Sequence, residues 1–352
     1  MNRRKSKIVK IGSIYIGGNN PIAIQSMAKA KTADIAKTLK QLRALEAAGC
    51  EIVRVAVKDI RDAQAIKRIK ANTAIPVVAD IHFSWRLALA AIDNGADKIR
   101  LNPGNIYKDK EIKEITSALK QAKIPLRIGV NSGSLRDLNS HRLSLSERLV
   151  QSALDYVKKI EKLKFYDIVI SLKASAALET ILAYRKIARL CDYPLHLGVT
   201  AAGLPRQGAI KSSIAIGALL SEGIGDTIRV SLTASPEEEV RAARDILESL
   251  DLRHFGPEII SCPTCGRCEV DLVKIVRDLE SRLSTIDYRL STRLPKIAIM
   301  GCVVNGPGEA KGADIGIAFG KKQGLLFKKG KPIRKIPYHK CTEVLLREIG
   351  RQ

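Results

Sequence analysis

Eight short segments rich in β-branched residues recur at regular spacing before residue 234, and stretches with helical periodicity separate them. The segments are PIAIQSM (21–27), EIVRVAV (51–57), IPVVADIH (75–82), KIRLNPG (98–104), PLRIGVNSG (125–133), DIVISLKA (167–174), PLHLGVT (194–200) and TIRVSLT (227–233). The helical stretches 33–49 and 84–95 end on Gly49 and Gly95, and glycine commonly ends a helix before a new strand. Eight strands that alternate with helices predict an α/β fold of the (β/α)8 or TIM-barrel type.

A second, smaller unit is expected after the barrel. The segment 236–250 has the pattern of a last barrel helix, and a turn at 254–257 follows it. A chain of 352 residues, 45% of them hydrophobic, is long enough for one large core and one smaller one. We therefore predict a barrel domain over 1–253 and a small α+β domain over 254–352. In the second domain the pattern predicts helices at 271–283 and 339–350, strands at 296–301 and 313–320, and a strand-like segment at 325–333.

The net charge of +24 indicates an anionic partner without saying which one. Aromatic residues make up only 4% of the chain, and no basic run is interleaved with Tyr or Phe, so the composition argues against nucleic acid. No apolar run approaches the roughly 20 residues of a membrane span, and the basic start lacks the apolar core of a signal peptide. Seven cysteines, mostly in the last third of the chain, favour metal ligation in a reducing compartment. We expect a cytoplasmic protein without a membrane segment.

Polar residues at the ends of the predicted strands are the first candidates for a site, because the chemistry of a (β/α)8 barrel lies at the carboxyl ends of its strands. The residues found there are Arg54, Asp80, His82, Arg100, Asn102, Arg127, Asn131, Lys173, His196, Thr200, Arg229 and Ser231. Five are cations from five different strands, and burying a cation without a partner is costly. The acids of the eight segments are only Glu51, Asp80 and Asp167. The sequence therefore predicts a multiply charged anionic ligand, most simply a diphosphate, held by arginine forks.

Asp80 and His82 lie two residues apart on one predicted strand, so their side chains face the same side. They form either an acid/base pair or a structural pair, and the sequence leaves both open.

The segment SCPTCGRCEVDL (261–272) spaces Cys262, Cys265 and Cys268 three residues apart, and GCVVNGPGE further on supplies Cys302 and Glu309. Four thiolates and a carboxylate are one ligand more than a tetrahedral zinc site or a single cubane cluster uses. The spacing alone leaves zinc and an iron–sulfur cluster open. The cysteine spacing also leaves open two other interpretations, a zinc-stabilised nucleic-acid-binding protein and a simple electron carrier. The electron-carrier interpretation leaves the barrel arginines without a function.

Strings along nearly the whole chain resemble the bacterial 4-hydroxy-3-methylbut-2-enyl diphosphate synthase family. They are IQSM (24–27), EIVRVAV (51–57), ADIHF (79–83), IRLNPGN (99–105), RIGVNSGSL (127–135), SLKAS (171–175), LHLGVT (195–200), GIGDTIRVSLT (223–233), CPTCGR (262–267) and GCVVNGPGEA (301–310). The resemblance implies a TIM barrel joined to a small cluster domain, and a homodimer. It also implies reductive ring opening and dehydroxylation of 2-C-methyl-D-erythritol 2,4-cyclodiphosphate with a [4Fe–4S] cluster, and electrons from a flavodoxin or ferredoxin.

Carried over position by position, the resemblance assigns roles to residues of this chain. Substrate binding is expected from Arg54, Arg100, Asn102, Arg127, Asn131, Lys173, Thr200, Arg229, Ser231 and Asn305. The cluster ligands are expected to be Cys262, Cys265, Cys302 and Glu309. Catalytic roles are expected for Glu309 as a cluster ligand and, from their placement on one predicted strand, for Asp80 and His82.

Two features of this chain qualify the carry-over. Cys268 is left out of the ligand set because it follows Arg267 toward the next helix and because family members commonly lack a cysteine there. Many family members read HLGVTEAG where this chain reads HLGVTAAG, so a glutamate often assigned to proton handling is Ala201. Alanine moves no proton, and the sequence leaves the proton source open. The three remaining cysteines, Cys50, Cys191 and Cys341, are expected to be small buried hydrophobic residues.

Overall fold

The structure of the protein is a computed structural model. It describes residues 2–135, 143–283, 294–303, 308 and 310–349. The chain divides into two compact units, Met1–Arg253 and His254–Gln352, and each is described here by itself.

A short antiparallel hairpin opens the first unit. It joins β1 (Val9–Ile11) to β2 (Ile14–Ile16), with Gly12 in the turn at a φ of 57° that favours glycine. Its apolar side chains pack with those near the amino ends of four barrel strands, at Ala23, Ile52, Val78 and Val169. The hairpin therefore covers the end of the barrel opposite to the one where a site is expected. The sequence analysis did not predict it.

Eight parallel strands form the first unit's sheet, as predicted. They are β3 (Ala23–Met27), β4 (Ile52–Val57), β5 (Val77–Ile81), β6 (Lys98–Leu101), β7 (Leu126–Asn131), β8 (Ile168–Lys173), β9 (His196–Leu197) and β10 (Thr227–Ile228). Their spatial order is β8-β7-β6-β5-β4-β3-β10-β9. A parallel bridge between Ile170 and Leu195 brings β8 to the start of β9, so the sheet nearly closes into a barrel. The predicted TIM barrel is confirmed.

In the described part of the first unit, eight α-helices follow the strands. They are α1 (Ile35–Ala47), α2 (Ile60–Lys70), α3 (Trp85–Asp93), α4 (Asp109–Ala122), α5 (Leu145–Lys162), α6 (Ala177–Leu190), α7 (Pro205–Ser221) and α8 (Pro236–Ser249). Local signals fix several of their ends. Ser144 and Glu147 form a capping box at α5, and proline opens α7 and α8. Gly49 and Gly95 follow α1 and α3 at positive φ, which confirms the predicted helix stops.

The described part of the second unit contains a five-stranded mixed sheet with helices packed against it. Its elements are β11 (Glu258–Ser261), α9 (Leu272–Leu283), β12 (Lys296–Met300), β13 (Ile315–Phe319), β14 (Gln323–Lys328), β15 (Lys331–Pro337) and α10 (Cys341–Ile349). Strands β11, β12 and β13 pair in parallel, whereas β14 pairs antiparallel with both β13 and β15. Apolar residues of α9 and α10 pack against the sheet in one core.

Two expectations for this unit need correction. Strand β11 was not predicted, and the strand-like segment 325–333 is a hairpin of β14 and β15. The chain turns at Lys329 and Gly330, which both have positive φ, and two such residues form the tight turn that suits a hairpin's twist.

Candidate functional site

A pocket of about 90 Å³ lies in the barrel interior, toward the carboxyl ends of the strands. Its lining is almost entirely polar, and it contains five cations from five strands. The lining residues are Arg54, Asp80, Arg100, Arg127, Asn131, Ser171, Lys173, Val199, Thr200, Arg229 and Ser231. The structure thus brings together most of the residues that the sequence predicted for the site. Ser171 and Val199 were not among the predicted site residues.

Asp80 is the carboxylate at the centre of the cations. It accepts a hydrogen bond from Arg100 Nη1 at 2.9 Å, and its other oxygen lies 3.5 Å from Arg54 Nε. Register explains this arrangement, because Asp80 pairs with Arg100 across β5 and β6. Burial opposes the ionisation of Asp80, but the neighbouring guanidinium charges outweigh it and hold its pKa well below the usual range. Asp80 is therefore ionised at neutral pH.

Arg54 has an unusual second partner, the thioether of Met27 on the adjacent strand β3. Its Nη2 and Nε lie 2.9 and 3.2 Å from Met27 Sδ. Sulfur is a weak acceptor, so this contact offsets little of the cost of burying the guanidinium. Burial lowers the pKa of Arg54 to about 10, although Asp80 acts in the opposite direction.

Arg127 is the most deeply buried cation of the pocket, with 1% of its surface exposed. Among the described residues, its Nε and Nη1 atoms have no hydrogen-bond partner. Burial and the nearby arginine charges lower its pKa well below the usual value. A buried donor without an acceptor destabilises the protein by about 1–3 kcal/mol, so these N–H groups favour an incoming acceptor.

Lys173 is held by a buried histidine. Its Nζ lies 3.4 Å from His196 Nε2, and His196 Nδ1 lies 2.7 Å from Thr227 Oγ1. Burial and surrounding cations lower the pKa values of both Lys173 and His196. The histidine is therefore neutral and can accept a hydrogen bond from the lysine.

Two glycines make room for the cations. A Cβ atom on Gly129 would lie 2.5 Å from Arg100 Nε, and one on Gly198 would lie 2.6 Å from Lys173 Nζ. Any larger residue would move these side chains. In the sequence these glycines lie in the strings RIG and HLG, but their role can be recognised only when the neighbouring strand is known.

The second carboxylate beside the pocket comes from a helix, and the sequence analysis missed it. Glu239 of α8 is 1% exposed and lies 3.3 Å from Arg229 Nη2. Of the acids expected from the strands, Glu51 pairs with Arg253 at 2.6 Å and Asp167 is exposed. Among the described residues, the two carboxylates Asp80 and Glu239 thus lie beside the five cations of the pocket, which has an excess of positive charge.

Of the residues expected at the barrel site, His82 and Asn102 do not line the pocket. His82 Nδ1 is 3.3 Å from the Val57 carbonyl oxygen. Among the described residues, His82 and Asp80 share no hydrogen bond, because the arginines occupy the carboxylate. Asn102 is a loop residue that donates to Ser134 Oγ at 2.6 Å and accepts from the Gly104 N–H. Asn305 and Glu309 lie outside the described residues.

The cysteines of the second unit lie on two neighbouring loops. Cys262, Cys265 and Cys268 follow β11, and Cys302 follows β12. These strands are adjacent and parallel, with Ser261 opposite Ile299, so both loops leave the same edge of the sheet. Cys262 Sγ accepts a hydrogen bond from the Gly301 N–H at 3.2 Å. The donor set on these loops is rich in thiols, which suits zinc or an iron–sulfur cluster.

The individual thiols differ in their surroundings. Cys265 is exposed, and hydrogen bonds from the backbone and side chain of Arg267 lower its pKa, which favours the thiolate that metals bind. Cys268 is half-buried and donates to the Val270 carbonyl oxygen at 3.2 Å. A Cβ atom on Gly301 would lie 2.4 Å from Cys268 Sγ. Within the described residues, no three His, Cys, Asp or Glu side chains are grouped so as to hold a metal ion.

The cysteines outside these loops differ in burial. Cys50 and Cys341 are buried, as predicted, whereas Cys191 is only half-buried. Burial raises the pKa of the Cys50 thiol to about 12, so it remains protonated and unreactive.

The fold and the pocket define a (β/α)8-barrel protein with a buried cationic pocket, joined to a unit with cysteine-bearing loops. Family models agree: the GcpE TIM-barrel domain matches residues 6–244, and the GcpE protein C-terminal domain matches residues 258–351. The chain belongs to the GcpE family. The resemblance found in the sequence is confirmed.

Curated relatives match over almost the full length. A protein of Fusobacterium nucleatum subsp. nucleatum is 51% identical, over 99% of this chain and 97% of the relative. One of Caldanaerobacter subterraneus subsp. tengcongensis is 53% identical, again over 99% of this chain and 97% of the relative. Both are named 4-hydroxy-3-methylbut-2-en-1-yl diphosphate synthase (flavodoxin).

Similar solved structures include dihydropteroate synthases. That of Yersinia pestis has a TM-score of 0.51 at 9% identity, covering 69% of this chain and 97% of its own. That of Xanthomonas albilineans with 7,8-dihydropteroate has a TM-score of 0.52 at 15% identity, covering 70% of this chain and 98% of its own. At such identities the likeness concerns the barrel fold alone. None of the helices in the described part of the chain has the length and hydropathy of a membrane span.

Proposed function

We propose that the chain is an oxidoreductase that opens 2-C-methyl-D-erythritol 2,4-cyclodiphosphate reductively and dehydroxylates it to 4-hydroxy-3-methylbut-2-enyl diphosphate, a reaction of non-mevalonate isoprenoid biosynthesis. The names of the curated relatives support this product. The observation that carries the proposal is the excess of buried positive charge in the barrel pocket. A cyclic diphosphate is a compact, doubly charged anion that offsets such an excess.

The pocket residues contribute both charged and neutral hydrogen-bond donors to the binding of the anion. Arg127 offers two N–H groups that have no other acceptor among the described residues. Lys173 is held by His196, and the hydroxyls of Thr200 and Ser231 with the amide of Asn131 add neutral donors. Small pockets of this kind exclude water and strengthen each charge-assisted hydrogen bond.

Of the two roles that the sequence left open for Asp80, we propose the structural one. Because its arginine partners hold it ionised, Asp80 is a poor proton donor at neutral pH. We assign it the orientation of Arg54 and Arg100. His82 and Glu309 remain the proposed proton-handling residues, and Ala201 takes no part in proton transfer.

The cysteine loops are proposed to hold a [4Fe–4S] cluster through Cys262, Cys265, Cys302 and Glu309. The thiol-rich donor set and the thiolate-favouring surroundings of Cys265 support this assignment. When bound, the cluster supplies electrons singly and a Lewis-acidic iron. A carboxylate oxygen is a harder ligand than a thiolate, so Glu309 would dissociate more readily and then be free to move a proton. Reduced thiol ligands agree with a cytoplasmic location.

A reduced flavodoxin is the proposed electron donor, with a ferredoxin as the alternative, because the relatives' names include flavodoxin. Lysines around the β14–β15 hairpin provide a basic surface for an acidic carrier protein. They are Lys321, Lys322, Lys328, Lys329 and Lys331. Lys328 pairs with Glu348 at 2.8 Å, whereas the other four are exposed.

A homodimer is proposed, with α6 and α7 in the contact. Leu178 and Leu182 are 64% and 40% exposed on α6, and Ile210 and Ile214 are each 56% exposed on α7. Each pair is four residues apart, so each forms a stripe on its helix. Two copies related by a twofold axis would cover this apolar surface. Ile210→Glu combined with Ile214→Glu should yield monomers in sedimentation analysis, whereas an unchanged mass would exclude this face.

The function is tested with anaerobically purified protein, the cyclodiphosphate and reduced flavodoxin. We expect a brown, iron-containing protein that forms the linear diphosphate, and an Arg127→Met variant that keeps its iron but loses most of its turnover. A colourless protein that contains zinc, binds nucleic acid and leaves the cyclodiphosphate intact would overturn the proposal in favour of the rival interpretation.

A further inference from the structure

The first and last strands of the barrel meet at a short seam. Strands β3 and β10 pair at only two positions, Ala23 with Thr227 and Ile24 with Ile228. Arg229 and Ser231, which line the pocket, follow directly after the paired part of β10. The Arg229 N–H still donates to the Leu197 carbonyl oxygen of β9 at 3.0 Å, but on the β3 side the paired part ends at Ile228.

Glu239 is the residue that joins the two sides above this seam. It lies in the first turn of α8, and 1% of its surface is exposed. One carboxylate oxygen accepts from Ser26 Oγ at 3.2 Å and from Arg229 Nη2 at 3.3 Å. The other accepts from the Leu232 N–H at 3.1 Å and lies 3.2 Å from Lys29 Nζ.

These four partners come from both sides of the seam. Ser26 belongs to β3 and Lys29 follows it, whereas Arg229 and Leu232 follow β10. Lys29 Nζ strengthens the link because it also donates to the Leu232 carbonyl oxygen at 3.0 Å. A buried carboxylate that satisfies four donors is held rigidly, and so are the groups bonded to it.

We propose that Glu239 is a positioning residue for the anion: it fixes Arg229, and the segment that carries Ser231, against the first barrel strand. The inference rests on the proposed function of the pocket. Glu239 occupies only Nη2 of Arg229, and Nε of this arginine has no hydrogen-bond partner among the described residues. The contact thus orients the guanidinium and leaves part of it available to a phosphate.

The substitution Glu239→Gln, which introduces a glutamine, distinguishes the positioning role from simple space filling. Its side chain has nearly the same size, but it has one acceptor oxygen, and its NH₂ group would face donors on one side. Either Arg229 and Ser26 or Leu232 and Lys29 would lose their acceptor. In either case Arg229 or the segment that carries Ser231 loses its fixed orientation, whereas the net positive charge of the pocket increases. Because the directed hydrogen bonds outweigh a more distant charge, we expect weaker anion binding.

The test is a double-mutant cycle between Glu239→Gln and Arg229→Gln, with inorganic pyrophosphate as the probe in calorimetry of the full chain. We expect E239Q to lower pyrophosphate affinity about tenfold or more in the native background, and to change it less than about twofold when Arg229 is already replaced. The matched control is Glu238→Gln, a half-buried neighbour in the same helical turn, which should leave affinity unchanged.

An equal loss of affinity in both backgrounds would overturn the inference, because a general structural defect acts without Arg229. No loss in the native background would also overturn it. Should E239Q not fold, Glu239→Asp enters the same cycle, since it keeps the charge but not the reach. Failure of the proposed function appears separately, as native protein that binds pyrophosphate with the expected coupling yet does not convert the cyclodiphosphate.

Discussion

The barrel pocket and the cysteine loops hold their chemical groups in opposite ways. In the pocket, cations project from strands whose register fixes them, and Arg54, Arg100 and Arg127 are between 1% and 8% exposed. The cysteines lie on loops beyond strand ends, where Cys265 is exposed and Cys262 and Cys302 are half-buried. The pocket is therefore arranged before its ligand arrives, whereas we expect the proposed cluster to bring the thiols together.

This difference has an energetic side. Arg127 and Lys173 are buried among like charges, so the folded protein bears a cost that an anion relieves. The cysteine loops bear no such cost, because their thiols are exposed or half-buried and are not crowded among like charges. Metal binding then contributes to the order of the loops themselves. We expect the two regions to respond independently to substitution, and the following predictions test this from the largest effect to the smallest.

The largest effect is expected at the cysteine loops. Cys302→Ser should abolish iron binding and turnover, because serine is a poor ligand for iron at neutral pH. The affinity of the barrel pocket for pyrophosphate should remain unchanged, since the pocket residues all lie in the first unit. Iron analysis and calorimetry on the same anaerobic preparation measure the two effects. A loss of pyrophosphate binding together with the iron would contradict the independence of the two regions.

Cys268→Ser and Glu309→Ala identify the fourth ligand within the same experiment. Cys268→Ser should keep its iron and turnover, whereas Glu309→Ala should lose turnover. The assignment is wrong if the serine variant loses its iron while the alanine variant keeps both iron and activity.

The next effect concerns the arginines. Replacing Arg54, Arg100, Arg127 or Arg229 by Ala should weaken anion binding by about 1.5–3 kcal/mol each, the range for a charge-assisted hydrogen bond. Iron content should not change. Arg61→Ala is the control, because Arg61 carries the same charge on an exposed helix surface. Unchanged pyrophosphate affinity in two of the four variants would remove the pocket from the mechanism.

These predictions depend on features that the sequence reveals to different degrees. The barrel strands were predictable, because β-branched runs alternate with helical stretches that stop at glycines such as Gly49 and Gly95. The cations were predictable as a group, since the carboxyl ends of parallel strands converge. Glu239 was not predictable in the same way, because it reaches the site from a helix that begins beyond the last strand. Met27 beside Arg54 depends on strand register, which the sequence does not display.

Short elements in both units show the same limit. The β1–β2 hairpin and β11 consist of three or four residues each, too few for a periodic pattern. The β14–β15 hairpin escaped notice because its turn is Lys-Gly within a basic run. Cysteine spacing indicated a metal site, but spacing cannot tell which of five candidate groups is excluded. We expect that choice to depend on the metal that the loops are proposed to bind.

A smaller effect concerns Lys98, which lies on β6 and is fully buried. Its Nζ has no hydrogen-bond partner among the described residues, and burial, with Arg127 and Arg54 nearby, lowers its pKa well below the usual value. In the unfolded chain Lys98 is protonated up to a pH of about 10.4. Between the lowered pKa and that value, the unfolded state binds one proton more, so the free energy of unfolding rises with pH.

Lys98→Met removes this dependence. Within that window, the free energy of unfolding of the native chain should gain about 1.4 kcal/mol per pH unit relative to the variant. Denaturant unfolding over a series of pH values below about 10 measures the difference. Lys67→Met, at an exposed lysine of α2, should show no such slope. Parallel pH profiles for native chain and Lys98→Met would mean that Lys98 stays charged and has found a partner.

The smallest effect is expected on the surface of the second unit. Lys329→Gln combined with Lys331→Gln should lower the second-order rate of electron transfer from reduced flavodoxin roughly threefold at low salt, because steering by exposed charges adds to the encounter rate. At high salt the difference should vanish, since the Debye length falls to about 3 Å at 1 M. Turnover with saturating flavodoxin should be unchanged. Lys67→Gln with Lys113→Gln removes two exposed charges from the barrel helices and serves as the control.

The salt profile separates two roles for these lysines. Lys331 lies on β15, the outermost strand of its sheet, and charged residues on an edge strand hinder pairing with other chains. If edge protection is the only role, the rate will be flat in salt and the double variant will aggregate instead. If steering is the role, the rate will depend on salt and the variant will stay monodisperse. In contrast with the buried pocket cations, whose contribution requires contact, steering lysines would act at a distance, so screening by salt distinguishes the two roles.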